Sequence, residues 1–429
     1  MTYEHVQLLN VSAWGKKVGA VASDGRAYAF EYEPSWRRTG IELAPDLMPL
    51  GDRKRVFSFP SLPKETFQGL PPMLADSAPD RFGNGIINSV LAREGVAPSD
   101  ITALDRLAYI GKRGMGALTF EPDTRRATEA TALEMSHLVE AARAAIQGDL
   151  TGDKVTTESL NELIQVGTSA GGARAKAVIA WNQESGEMRA GGIVAPAGFE
   201  QWLLKFDGVG EDSQLGRAQH YGRTEYAYFL MAKAAGIVMS ESRLLEEGGR
   251  AHFVTRRFDR PGTSGERLHM QSLCAVAALD FNALATHDYA SLFVAARDLG
   301  ITDLTEIFRR MVFNVLASNN DDHTKNHSFL MDENGTWSLS PAYDVTFAYS
   351  PTSAWTAQHL MSVNGHFAEI SREDLHKVGE TFRIPGYRAI IREVEDAVER
   401  WPEFAKQAEL PANRLSEVAA RLDEVKLDA

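Results

Sequence analysis

An apolar helix that runs straight into a cluster of amides and carboxylates constrains this chain more than any other feature. Ile307, Met311, Val312, Val315 and Leu316 recur at helical spacing, and Asn319-Asn320-Asp321-Asp322 follow at once. Two Asn and two Asp make a poor helix interior and a good loop, because their side chains compete for backbone hydrogen bonds. Polar groups held at a buried helix end are costly unless they are bonded or bind something. A loop that merely caps the next segment would satisfy the pattern. A site for phosphoryl transfer would use it more fully, with a carboxylate to take a hydroxyl proton and oxygen ligands for Mg²⁺ on nucleotide phosphates.

The spacing favours the second reading. Asp321 stands five positions before Asn326, the separation between base and metal-binding Asn in a protein-kinase catalytic loop. Asp344 follows 18 residues after Asn326, beyond the apolar stretch Phe329 to Met331. A hairpin there would return it to the site as a second metal ligand, although Val345 and Thr346 follow it rather than Phe-Gly. Asp322, one position out of register, reads as a helper or a surface carboxylate. His323 reads as a group that positions the loop beside Asp321. His323 and His327 are four apart and would share a helix face, the pattern of a metallohydrolase, but no HExxH motif accompanies them.

Upstream segments supply the other parts such a site needs. Gly167 to Lys176 is a glycine-rich loop before a strand. Gly167 and Gly172 have Walker A spacing, but Ala173 stands where lysine is required, so this is not a standard P-loop. Its backbone N–H groups could still cradle phosphates, with a hydroxyl added by Ser169. Lys205 lies in the apolar run Leu203-Leu204-Lys205-Phe206, where a lysine must reach water or meet an anion. Glu225, at the start of the next expected helix, is its candidate partner. Phe253 to Arg260 reads as a strand with a charged exit, where backbone groups of Arg256 and Phe258 could meet an adenine edge.

The rest of the chain is organised as β-rich entry, mixed β lobe and helical lobe. Tyr28, Phe30 and Tyr32 alternate beside an Asp24-Gly25 turn, which predicts a hairpin. The acidic segment Ala127 to Gln147 reads as an amphipathic connector, Glu225 to Ala235 as a helix with Tyr226, Phe229 and Leu230 on one face. A length of 429 residues suggests about three domains or subdomains. Their expected bounds are 1–125, 126–260 and 261–429. With 45 Lys and Arg against 58 Asp and Glu, the net charge of −13 disfavours polyanion binding over the whole surface. The one cysteine, Cys274, cannot form a disulfide within the chain and reads as a core residue in a reducing compartment. MTYEHVQLLN does not read as a signal peptide and no long apolar run is present, so a cytoplasmic protein with no membrane partner is expected.

Several motifs occur together in order: GTSAGGARAK, WLLKF, RRFDR, RLHMQS, NDDHTKN and SPAYD, preceded by PPMLADSAPDRFGNGI and IGKRGMGALTFEP. The set resembles the HipA family of bacterial serine/threonine kinase toxins over about residues 10 to 400. The resemblance implies an α+β, two-lobed protein-kinase-like fold, with a β-rich amino-terminal lobe and an all-helical carboxy-terminal lobe, acting with ATP and Mg²⁺. It makes Asp321 the base, with His323 beside it, and Asn326 and Asp344 the metal ligands. Lys205 becomes the phosphate-binding lysine, Gly171, Gly172, Ala173, Arg174, Ala175 and Lys176 the phosphate loop, and Arg256, Arg257 and Phe258 the adenine hinge. Lys325 and Tyr343 join the nucleotide site, and Ser169 matches an autophosphorylated serine. The implied partners are a small helix-turn-helix antitoxin of the HipB kind, through which alone DNA would be met, and a translation component such as an aminoacyl-tRNA synthetase as substrate. A weakly catalytic nucleotide-binding co-repressor and a small-molecule kinase are the alternatives.

Overall fold

The computed structural model describes residues 3–25, 27–124, 138–139, 141–142, 175–191, 195–207, 220–262 and 265–427. The chain divides into two compact units. One holds Met1–Gln219, Leu245–Met270 and Leu330–Thr336; the other holds His220–Leu244, Gln271–Phe329 and Trp337–Ala429.

The first unit opens on the expected hairpin. Strands β1 (Leu8–Ala13), β2 (Lys16–Ser23) and β3 (Tyr28–Tyr32) pair antiparallel, with Val21 opposite Phe30. The turn forms because Asp24 Oδ1 accepts the Ala27 N–H at 2.9 Å and Gly25 takes a φ of 84°, a conformation that costs glycine little. Strands β4 (Val56–Phe57) and β5 (Leu118–Glu121) complete the sheet in the order β4-β3-β2-β1-β5.

A second sheet follows from β6 (Lys176–Trp181), β7 (Met188–Ala190), β8 (Glu200–Lys205), edge strand β9 (Ser242–Glu247) and β10 (Arg250–Arg256). Its order is β7-β6-β8-β10-β9. Helix α1 (Arg81–Arg93) begins where Asp80 caps the Gly83 N–H at 2.6 Å. Its Phe82 and Ile86 pack with Ala177, Ile179, Trp202, Leu204 and Val254 of this sheet, joined by Leu138 and Val139. On its other side Ile87 and Leu91 meet Ile101 and Tyr109, the latter from helix α2 (Ala103–Ile110). Full burial of each large apolar side chain contributes roughly 1.5–3 kcal/mol, so α1 is a principal tie within this unit. Of the expected acidic connector only four residues are described, and all four are buried.

The second unit is mainly helical. Helices α3 (Tyr221–Ala234), α4 (Tyr289–Asp298), α5 (Thr305–Leu316), α6 (Arg372–Thr381), α7 (Tyr387–Glu399), α8 (Trp401–Gln407) and α9 (Ala412–Glu424) surround one core. A parallel pair of short strands, His287–Asp288 with Met361–Ser362, interrupts the helices. Helix α5 is the innermost, with Ile307, Phe308, Met311, Val312 and Phe313 wholly buried. On α3 the inward residues are Ala227, Tyr228 and Met231, while Tyr226 and Leu230 lie at the margin. Tyr226 and Phe229 share a face as expected, their rings stacked with centroids 5.7 Å apart and Phe229 buried. Cys274 is buried as expected.

Candidate active site

The polar cluster begins where α5 stops. The Tyr228 hydroxyl donates to the Ala317 carbonyl at 2.6 Å, supplying a partner to one of the acceptors a helix end leaves open. Ser318 then turns the chain with a φ of 49°. Arg310, inside α5, donates through Nε to Glu306 and through Nη2 to the Ser340 carbonyl at 2.8 Å. The Ser340 N–H in turn donates to the Ser328 carbonyl. These bonds bring the Ser340–Asp344 segment back beside the loop, the return that the spacing predicted.

Within the loop, Asn326 Nδ2 donates to the Asp321 backbone carbonyl at 2.7 Å. That bond fixes the orientation of the amide. The Tyr343 hydroxyl donates to the Lys325 carbonyl at 2.6 Å and lies against Ser328 Oγ, so it braces the stretch that carries Asn326. Lys325 places its ammonium 4.6 Å over the Phe281 ring. Asp344 occupies a left-handed conformation at φ 52°. Its charge, with that of Asp322, helps hold the Asp321 carboxyl above its usual range. Partial burial is the larger cause of that rise, opposed by His323 and by a hydrogen bond from Trp355.

Two neighbours of Asp321 differ from expectation. Asp322 is not a surface carboxylate: it is 1% exposed. Its oxygens accept from the Tyr289 hydroxyl at 2.8 Å, His359 Nδ1 at 2.9 Å and the Leu360 N–H at 2.7 Å. Tyr289 in turn accepts from Asn314, and Asn314 from Asn319, so a buried polar chain runs back into α5. His323 Nε2 lies 3.7 Å from Asp321 Oδ1, too far for a good hydrogen bond. The direct donor to that oxygen is Trp355 Nε1, at 2.6 Å. No sequence signal marks Trp355, because it reaches Asp321 from 34 residues away. His327 turns from His323 into the interior, where burial pushes its imidazole down to about 4.

A small cavity of about 20 Å³ opens among Arg310, Asn314, Asn319, Asp322, Asn326, His327 and Tyr343. Among the described residues no group of three or more His, Cys, Asp or Glu side chains could hold a metal ion by itself. Asn326 and Asp344 offer hard oxygen donors, which suits a Mg²⁺ held partly by substrate phosphates rather than by a protein cage.

In the first unit Lys205 and Lys176 sit opposite each other on β8 and β6, 8% and 3% exposed. Opposite residues share a sheet face, and this face is the reverse of the one bearing Trp202 and Leu204, which packs with α1. Phe253 lies opposite Lys205 on the other side, its ring 5.7 Å from the ammonium. Ala175 is buried before Lys176, whereas Ser169, Gly171, Gly172, Ala173 and Arg174 lie outside the described residues. Glu225 is buried on α3.

The hinge segment is less open than its charge indicated. Arg256 pairs with Glu200 at 3.2 Å, and the Arg257 N–H is spent on the Gln201 carbonyl. The Arg257 guanidinium is buried and grips Asp259 through two bonds, at 2.9 and 2.7 Å. Arg260 adds a third at 2.6 Å, and the Gly116 N–H a fourth at 2.7 Å. Gly116 has φ 77° and a Cβ there would come within 2.9 Å of the Met270 nitrogen, so only glycine fits. Phe258, between these anchors, is half-buried.

The two units make an α+β protein, and comparison with known proteins specifies its family. The HipA N-terminal domain matches residues 9–121 and the HipA-like C-terminal domain residues 168–402. The chain belongs to the HipA family. A Sinorhizobium fredii protein named "Putative kinase Y4dM" is 26% identical over 77% of this chain and 75% of its own length. A second from that organism, "Putative kinase Y4mE", is 27% identical over 33% of this chain and 37% of its own. The fold is that of HipA from the Shewanella oneidensis MR-1 toxin–antitoxin system, solved with HipB and operator DNA. That structure matches at a TM-score of 0.66 and 18% identity, over 97% of this chain and 95% of that one.

Proposed function

We propose that the chain is an ATP-dependent serine/threonine protein kinase and the toxin of a toxin–antitoxin pair. The observation that carries this reading is the Asn326 Nδ2 to Asp321 carbonyl bond at 2.7 Å, with the charge of Asp344 acting on the same carboxylate. One loop thus holds a base and an oxygen ligand in fixed relation, and a second brings another carboxylate to them. Asn326 and Asp344 would hold Mg²⁺, which when bound neutralises charge on the nucleotide phosphates. Asp321 would take the proton of the attacking serine or threonine hydroxyl as its oxygen bonds to the γ-phosphorus and the bond to ADP breaks. Its raised pKa helps it keep that proton transiently. Lys205 and Lys176 would bind the phosphates, and backbone groups near Arg256 and Phe258 the adenine.

HipB accompanies HipA in the S. oneidensis complex, which supports a small helix-turn-helix antitoxin as partner here, with DNA met through it. A translation component such as an aminoacyl-tRNA synthetase is the proposed acceptor. Ser169 is proposed as a site of autophosphorylation, where an added charge of about −1.5 to −2 would repel ATP phosphates. The decisive experiment is calorimetry of ATP binding with and without Mg²⁺, followed by labelled ATP in a cell lysate. Mg²⁺-dependent binding and a labelled protein acceptor are expected. No Mg²⁺-dependent binding would overturn the reading at its first step.

A further inference from the structure

One short segment grips three consecutive residues of the loop. Asn320 Nδ2 donates to the Thr356 carbonyl at 3.1 Å, Asp321 Oδ1 accepts from Trp355 Nε1 at 2.6 Å, and Asp322 accepts from His359 and from the Leu360 N–H. The indole has its own support. Its ring meets His323 edge-on with centroids 6.0 Å apart, and His323 leans on Phe281 at 5.5 Å. Trp355 is therefore held from two sides, by the backbone of its segment and by the aromatic row Trp355-His323-Phe281. The Asp321 side chain is 40% exposed, so its rotamer is not set by burial. The indole bond sets it.

We infer that Trp355 is a positioning residue for the carboxylate base, and that residues 355–360 act as a strap that fixes its direction. This rests on the kinase reading of Asp321. A carboxylate has two oxygens and can accept at each. With Oδ1 tied to the indole, the partly exposed group presents its second oxygen to an acceptor hydroxyl. A charge-assisted bond of this kind is short and directional, and an indole N–H cannot exchange the donor role for an acceptor one. The strap also explains why Asp322 is buried beside a working carboxylate. By anchoring His359 and Leu360, it fixes the far end of the segment that carries Trp355.

The test uses the full chain. Trp355→Phe keeps an aromatic ring but removes the N–H together with part of the indole's bulk, and kcat should fall roughly tenfold to a hundredfold, the loss of one bond to a charged group. The KM for ATP should stay within about twofold, because the nucleotide does not sense the rotamer of the base. Trp355→Gln restores a donor of similar reach and should recover much of kcat. The chain has seven tryptophans, and the indole ¹⁵N–¹H resonance that Trp355→Phe removes should move upfield in Asp321→Asn. Equal losses in the Phe and Gln variants, or an indole resonance that ignores Asp321→Asn, would overturn the inference. A wild type that binds no Mg-ATP overturns the kinase reading and this inference together. An active wild type with undiminished kcat in Trp355→Phe overturns this inference alone.

Discussion

Asp259 and Asp322 are two carboxylates withdrawn almost wholly from water, and they are satisfied in opposite ways. Asp259, in the first unit, meets two guanidinium groups and one backbone amide. Burial alone would raise its carboxyl, but Arg257 and Arg260 more than offset this and hold it well below the usual range. Asp322, in the second, meets a phenol, an imidazole and backbone amides, with no Lys or Arg bridged to it among the described residues. Two arginines around one acid leave the first site with an excess of positive charge and no use for a metal. Next to Asp321, an arginine partner would cancel the negative field that the proposed Mg²⁺ would use. The first arrangement is a clamp between the Gly114–Gly116 loop and the strand exit; the second fixes geometry while preserving charge.

The largest effect should come from breaking the clamp. Asp259→Ala leaves two buried guanidinium groups facing each other, and loss of one partner in a buried ion pair costs about 3–5 kcal/mol. Soluble yield should collapse and the thermal midpoint should fall by many degrees. A fully stable Asp259→Ala would show that water reaches the cluster and that it is no clamp. The contrasting variant is Asp321→Asn. Its side chain is partly exposed, so the midpoint should barely move while turnover drops about 10²–10⁴-fold, the range for loss of a general base. Loss of stability comparable to Asp259→Ala would contradict the division between the two sites.

Asp322→Asn should fall between them. The amide keeps one acceptor but presents N–H groups to donors, so one or two buried bonds are lost at about 1–3 kcal/mol. Turnover should fall as well, because the strap that holds Trp355 loosens. Unfolding curves and kcat measured on the same preparations would decide it. Unchanged stability would mean that Tyr289 and His359 find other partners.

The sequence revealed these two acids unequally. The Asp24-Gly25 hairpin and the Asp321-to-Asn326 spacing were legible because their chemistry is local: a period of two in one case, five residues of one loop in the other. The role of Asp322 was not, since its donors arrive from 33 to 38 residues away, and nothing in a one-dimensional pattern marks which distant polar group returns. The burial of RRFDR was hidden for a different reason. Charge in sequence implies exposure, and this cluster is buried only because Arg257 and Asp259, two apart, pair with each other and with a loop 143 residues away. The lysine pair of the second sheet was half legible: Lys205 stood out in an apolar run and Lys176 at the end of a glycine-rich segment, but that they stand opposite each other needed the register.

The smallest effect concerns pH, and it separates the clamp from the rest of its own unit. Asp259 stays ionised to low pH, so mild acid should leave the clamp intact. His252, on β10, is the weaker point. Burial, and secondly the charge of Arg250, push its imidazole down to about 4. Its Nδ1 accepts the Asp207 N–H at 2.9 Å, which only the unprotonated nitrogen can do. In the unfolded chain this imidazole titrates near 6.5, so between about pH 6.5 and 4 the unfolded state binds the extra proton. Stability from the neutral ring is complete above that window and is lost as pH falls through it, by about 1.4 kcal/mol for each unit. At pH 5.5 the wild type should therefore be weaker than at pH 7.5 by at least that order. His269 and His327, lowered to about 3 and about 4, add losses of the same sign. His252→Asn offers an acceptor that does not titrate and should remove one proton's share of the slope. Urea unfolding at the two pH values measures it; a slope identical to the wild type would place the acid sensitivity outside this histidine.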